Sequence, residues 1–148
     1  MKSRTDKIII FAISFILPVF ICVALKFLFD YNSYDVCSFE GVEVSKTLLG
    51  TWATLLGFIV TAESILITMG GKEYIQAFKE SRHYKTVLLT YFSTSFVLLS
   101  ATIFSIVIIC LNIWDTVLFY ILIYLILSTF LLLFFCILFL FFMVYKSI

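Results

Sequence analysis

The sequence predicts an all-α membrane protein with four transmembrane helices, both termini in the cytoplasm, that assembles as a homo-oligomer. Hydrophobic residues make up 64% of the 148 residues, whereas charged residues make up only 13%. A helix needs about 20 apolar residues to cross the hydrocarbon core of a bilayer, and four such runs nearly exhaust the chain. We therefore expect a single four-helix domain over residues 1–148, without a separate sensory or enzymatic domain.

The four predicted spans cover residues 8–29, 47–69, 86–111 and 115–145. The first apolar run is too long for the core of a signal peptide and no small-residue cleavage site follows it, so we expect it to be retained. Gly70 and Gly71 end the second span. The fourth span is a long Leu/Phe run, so we expect it to be tilted and to face lipid.

The orientation follows from the charges between the spans. The first seven residues and the inner segment, residues 70–85, carry seven Lys or Arg residues against three acidic residues. The outer acidic loop, residues 30–46, carries four acidic residues and one lysine. Since basic loops stay on the cytoplasmic side, both termini and the inner segment are predicted to be cytoplasmic.

A row of small and hydroxylated side chains runs along the second span, with spacings that alternate between four and three residues. Residues at these offsets share one helix face. This small-residue stripe would either allow close packing against another helix or present hydroxyl groups to a water-filled pore. It consists of Gly50, Thr54, Gly57, Thr61, Ser64 and Thr68.

Glu63 is an acidic residue set deep within the second span. It is two positions from Thr61, about 200° around the helix, and so lies off the small-residue stripe. A buried carboxylate of this kind costs about 2.5–3.5 kcal/mol on insertion scales and therefore needs a partner or a function. We interpret it as a latch between spans, with a proton- or ion-coupling role as the alternative. The candidate partners are Thr90, Tyr91, Ser93, Thr94, Lys7, Arg82 and Lys85.

The inner segment is predicted to form a short basic helix between spans two and three. It would bind anionic lipid at the membrane surface, or it would bind phosphates of a nucleotide or oligonucleotide on a rim formed by several copies. The residues predicted to bind this ligand or a partner are Lys72, Lys79, Arg82, His83 and Lys85.

Enzymatic activity is not predicted. The chain has one histidine and no nucleophile–base pair, metal-ligand cluster, CxxC pair or glycine-rich phosphate loop, so no catalytic residue, cofactor or metal is expected. A disulfide between Cys37 and Cys110 is compatible with the predicted topology, which places both near the outer face.

Residues 48–85 read LLGTWATLLGFIVTAESILITMGGKEYIQAFKESRHYK. This stretch resembles small multi-span bacterial proteins found with antiphage defence genes, through a Gly-Phe-rich second span with a Thr-Ala-x-Ser core and a charged Phe-Lys-Glu-Ser-x-x-Tyr turn. The resemblance implies an effector of the bacterial inner membrane that self-assembles and disturbs the membrane when a partner enzyme from the same operon, or its nucleotide product, signals infection.

We therefore hypothesise a homo-oligomeric gated channel or pore that acts as an antiphage effector. Two alternatives stay open at this point. One is a non-conducting membrane anchor or interaction subunit for a partner protein, and the other is a small proton-coupled exporter.

Overall fold

A computed structural model describes residues 2–32, 41–68 and 84–145, with side chains placed for residues 9, 10, 12–31, 41–68 and 84–141. Within these residues the chain forms four helices, each with a stretch long and apolar enough to cross a membrane. They are α1 (Lys2–Asn32), α2 (Gly41–Thr68), α3 (Tyr84–Leu111) and α4 (Thr116–Tyr145). The fold is thus all-helical over the described residues, as the sequence predicts.

The helices pack in the spatial order α2, α3, α4, α1. Among the described residues, α2 packs mainly on α3, α3 also packs on α4, and α4 also packs on α1. The helices α1 and α2 therefore lie at the two ends of the row. The expectation that α4 mainly faces lipid needs correction, because Leu122, Leu132 and Cys136 are buried and α4 lies between two neighbours. An all-apolar helix suits a packed interior as well as it suits lipid.

The contact between α2 and α3 follows a heptad spacing. On α2, Ser45, Trp52, Ile59 and Leu66 are buried at intervals of seven residues. On α3, ten residues are buried, and seven of them recur at alternating steps of four and three: Val87, Tyr91, Thr94, Leu98, Ala101, Ser105 and Ile108. A period of 3.5 residues keeps two helices in contact along their length. We call the contact between these two helices, which on α2 comprises Ser45, Trp52, Ile59 and Leu66, the α2–α3 seam.

A tight turn joins α3 to α4. Asn112 adopts a positive φ of 50°, a left-handed conformation that commonly ends helices and that Asn tolerates better than most residues. Asp115 then precedes α4: its Oδ1 accepts a hydrogen bond of 2.7 Å from the Thr116 amide, and its carbonyl accepts one of 3.0 Å from the Phe119 amide. This explains why α4 begins at Thr116.

The outer acidic loop is shorter than the predicted residues 30–46. Asp30 still belongs to α1, and α2 begins at Gly41, which is six residues before the predicted start. Glu43 lies in the first turn of α2, where a negative charge is stabilised by the helix dipole. It also forms an exposed ion pair of 2.6 Å with Lys46. These local interactions allow the helix to extend beyond the apolar run on which the prediction was based.

Gly41 allows the start of α2 to lie flat against the Trp114 ring. A Cβ atom at this position would overlap that ring, whereas a Cβ at Gly50 would meet no atom within 4 Å. We expect Gly41→Ala to displace Trp114 and to lower the free energy of unfolding in detergent micelles by about 1–3 kcal/mol, as overpacking does. Gly50→Ala is the matched control and should be neutral or slightly stabilising. Equal stabilities of the two variants would contradict the contact between Gly41 and the Trp114 ring.

Candidate functional site

The small-residue stripe lies on the surface of the single chain. All six of its residues are exposed. They lie on the side of α2 opposite the α2–α3 seam, because Gly57 and Ile59, for example, are separated by about 200° around the helix. A Cβ atom at Gly57, as at Gly50, would meet nothing within 4 Å. The stripe is therefore not used for packing among the described residues of one copy.

The hydroxyl groups of the stripe donate to carbonyls of their own helix, one turn earlier. Thr54 donates to the Gly50 carbonyl and Thr61 to the Gly57 carbonyl, both at 2.8 Å. Ser64 and Thr68 make equivalent bonds of 2.9 and 2.7 Å. Their protons are thus satisfied inside the helix, which makes exposure to an apolar environment tolerable. The oxygen atoms keep a free lone pair that could accept a bond from water or from another helix.

Glu63 lies beside the α2–α3 seam and is partly buried. Its Oε2 accepts a hydrogen bond of 3.3 Å from the hydroxyl of Ser95 on α3. The sequence interpretation chose the correct helix for a hydroxyl partner but not this residue. Ser95 is only one position beyond Thr94, and the side of α3 that faces α2 at this level could not be known before the two helices were placed.

A second set of polar contacts links α3 to α4, close along α3 to the contact of Ser95 with Glu63. The Tyr91 hydroxyl donates to the Cys136 carbonyl at 3.1 Å, and the Thr94 hydroxyl lies 3.3 Å from the Cys136 sulfur. All three residues are buried. From the sequence alone, no role was assigned to Cys136, which lies within the Leu/Phe run of α4. The available signal was that Tyr91 and Thr94 share a helix face on α3 and needed a partner on a neighbouring helix.

The groove between α1, α3 and α4 has a different character. It encloses about 600 Å³, and aromatic and aliphatic side chains dominate its lining, among them Phe15, Phe92, Phe96 and Leu125. Such a surface suits lipid hydrocarbon rather than hydrated ions. The hydroxylated face that one copy offers to its surroundings is therefore the stripe on α2 rather than this groove.

The predicted ligand-binding residues of the inner segment lie mostly outside the described residues. This holds for Lys72, Lys79, Arg82 and His83, whereas Lys85 lies in the first turn of α3 and is exposed. Cys37 is also outside the described residues, and Cys110 is a free, exposed thiol. Within the part of the chain that the structure describes, no three His, Cys, Asp or Glu residues group as metal ligands.

The described helices define the class of the molecule, a multi-pass membrane protein. No protein-family model matches the chain, and neither a curated protein nor a solved structure matches it. The resemblance of residues 48–85 to defence-associated membrane proteins therefore stays a prediction.

Proposed function

We propose that this protein is a homo-oligomeric gated channel or pore, and that copies meet or form the conducting path along the small-residue stripe of α2. The observation that supports this is that α2 carries two opposite faces with heptad spacing. One face forms the α2–α3 seam, and the other, from Gly50 to Thr68, has no partner among the described residues. Alternating steps of four and three residues are the spacing by which one helix packs along another.

Assembly of several copies is part of the proposal because a single row of four helices does not surround an ion path. With α1 and α2 at the two ends of the row, each copy has two different edges. Contacts between different edges of successive copies close into a ring when the rotation between copies allows it. In such a ring the hydroxyl oxygens of Thr54, Thr61 and Thr68 would provide polar positions along an otherwise apolar wall.

The trigger is proposed to act from the cytoplasm of a bacterial cell. The distribution of basic residues favours an inner-membrane protein with both termini and the inner segment on the cytoplasmic side. The resemblance of residues 48–85 further supports an antiphage effector opened by a partner enzyme or by a nucleotide or oligonucleotide. Phosphates would bind the basic residues of the inner segment, of which Lys85 is exposed at the start of α3.

The orientation can be tested by labelling with a membrane-impermeant maleimide. In a cysteine-free background, Ile113→Cys in the exposed turn between α3 and α4 should react from outside the cell, whereas Lys85→Cys should react only after the membrane is opened. The reverse accessibility would place the termini outside and contradict the proposed cytoplasmic trigger.

A non-conducting anchor is the second candidate function, since the hydroxyl groups of the stripe are already bonded within α2. A stripe with satisfied donors is also a suitable docking surface for the single transmembrane helix of a different protein. In that case the stripe would bind the partner and no ion path would form.

The deciding experiment is membrane potential after induced expression in bacteria, with and without the neighbouring gene of the operon, for wild type and Thr61→Val. Valine keeps the volume of threonine but removes a hydroxyl from the path. We expect wild type to depolarise the membrane when the trigger is present, and Thr61→Val to do so more weakly. An unchanged membrane potential in all cells, with the protein present in the membrane and the neighbouring gene expressed, would favour the anchor.

A further inference from the structure

Pro18 lies inside α1 and leaves one backbone carbonyl of that helix without its usual donor. Proline has no amide hydrogen, so the carbonyl of the residue four positions earlier, Ser14, loses its bond within the helix. Ser14 and Pro18 are both buried. In the hydrocarbon core of a membrane no water replaces the missing amide, so the Ser14 carbonyl needs a donor from another part of the protein.

The hydroxyl group of Ser128 on α4 supplies this donor. It donates to the Ser14 carbonyl at 3.2 Å, and Ser128 is itself buried. The hydroxyl of the next residue, Thr129, shows the ordinary arrangement in a helix, because it donates to the Ile126 carbonyl of α4 itself. The hydrogen bond that Pro18 removes from α1 is therefore replaced by one that crosses to α4.

Pro18 separates this hydrogen bond from the other described contacts that hold α1 on α4. We call residues 2–17 the first part of α1 and residues 19–32 the second part. In the second part, the Cys22 thiol lies 3.8 Å from the Tyr120 carbonyl, to which it donates. The Phe29 ring meets the Phe119 ring edge-on, with 6.1 Å between their centres. The second part is thus attached to α4 independently of Ser14.

The surroundings of α1 leave room for its first part to move. Since α1 lies at one end of the row, α4 is its main neighbour among the described helices. The groove of about 600 Å³ between α1, α3 and α4 adjoins the Ser14–Ser128 bond, because Phe15 and Ser128 both line it. Movement of the first part away from α4 would widen this groove without displacing α2 or α3.

We propose that Pro18 is a hinge in α1 and that the Ser128 hydroxyl is the latch that holds the first part of α1 on α4. When the latch bond breaks, the first part swings about Pro18 and the second part stays on α4. The released Ser14 carbonyl is then unpaired in an apolar environment, so the closed form predominates. The hinge and latch involve neither α2 nor ion conduction, and they stand or fall separately from the channel.

Distances between paired spin labels measure this swing in the full chain reconstituted in lipid vesicles. One pair, at Ile9 and Phe134, joins the first part of α1 to α4, and the other, at Phe27 and Val117, joins the second part to α4. All four side chains are at least half exposed, so the labels do not disturb the packing. The native cysteines are replaced by serine, which keeps a hydrogen-bond donor at each position.

Ser128→Ala should raise the ratio of long to short distances for the first pair about threefold. This factor corresponds to about 0.6 kcal/mol, the average for hydrogen bonds between transmembrane helices. The second pair should be unchanged. Ser14→Ala is the matched control and should behave as wild type, because it keeps the carbonyl and removes a hydroxyl that has no hydrogen-bond partner among the described residues.

Pro18→Ala distinguishes a latch from an ordinary packing contact. It restores the amide that bonds the Ser14 carbonyl within α1, so adding Ser128→Ala to this variant should change the distance ratio by much less than threefold. An equal effect of Ser128→Ala with proline and with alanine at position 18 would overturn the proposal. An unchanged ratio in Ser128→Ala alone, or movement of the second pair together with the first, would overturn it as well.

Discussion

Replacing Tyr91 by alanine is expected to destabilise the protein more than any other single truncation in the bundle. Tyr91 is fully buried within α3, and its hydroxyl donates to the Cys136 carbonyl on α4. Alanine would leave a cavity between these two helices and would remove this hydrogen bond. We expect a loss of about 3 kcal/mol in the free energy of unfolding, at the lower end of the range for large aromatic residues, because lipid is as apolar as the helix interior.

Two matched variants separate the causes of this loss. Tyr91→Phe removes only the hydroxyl group and should cost about 0.6 kcal/mol, the average for hydrogen bonds between transmembrane helices. Phe92→Ala truncates an aromatic residue one position along α3 whose side chain is 65% exposed, and it should have little effect. The measurement is unfolding by a denaturing detergent in mixed micelles, followed by circular dichroism. Similar losses for Tyr91→Ala and Phe92→Ala would contradict the burial of Tyr91 between α3 and α4.

Replacing Gly57 by leucine is expected to weaken self-association at least tenfold while leaving the single chain folded. Among the described residues of one copy, a side chain at Gly57 would meet open space, so the packing of the described helices gives no reason for a glycine there. Between copies, glycine would let the helix backbones approach closely, and leucine would hold them apart. A tenfold loss of association corresponds to about 1.4 kcal/mol, which is modest for a clash at the centre of a helix contact.

The control for this variant is Phe58→Leu. It introduces the same residue at the adjacent position, where the side chain is 69% exposed and off the stripe. Association can be followed by energy transfer between labelled copies as the protein is diluted with lipid. If Gly57→Leu associates as tightly as wild type and Phe58→Leu, the stripe is not the contact between copies.

The number of helices follows from the amino-acid composition, whereas the way in which the helices pack does not. Four apolar runs predict four helices, whereas the start of α2 at Gly41, six residues before its apolar run, coincides with the ion pair and dipole interactions of Glu43 rather than with hydrophobicity. The buried face of α2 was harder to predict. In water the apolar face would be buried, but in lipid both faces of α2 are acceptable, so Trp52 and Gly57 could each have faced α3.

The candidate site was predictable in its composition but not in its geometry. The heptad spacing of the stripe is visible in the sequence, whereas its lack of a partner among the described residues depends on where α3 lies. Similarly, the position of Glu63 off the stripe follows from helix periodicity, and its contact with Ser95 depends on the register of α2 against α3. In an antiparallel helix pair this register is set by side-chain packing along the whole seam.

The central claim, that copies assemble to form an ion path, is tested most directly by counting copies in liposomes while measuring ion flux. Fluorescently labelled full-length protein is reconstituted at low density with its triggering partner or ligand, and the copies in each liposome are counted by stepwise photobleaching. We predict flux only in liposomes that hold several copies, and its loss when Gly57→Leu replaces wild type at the same density. Flux from liposomes with a single copy, or no flux from liposomes in which several copies have associated, would contradict the account.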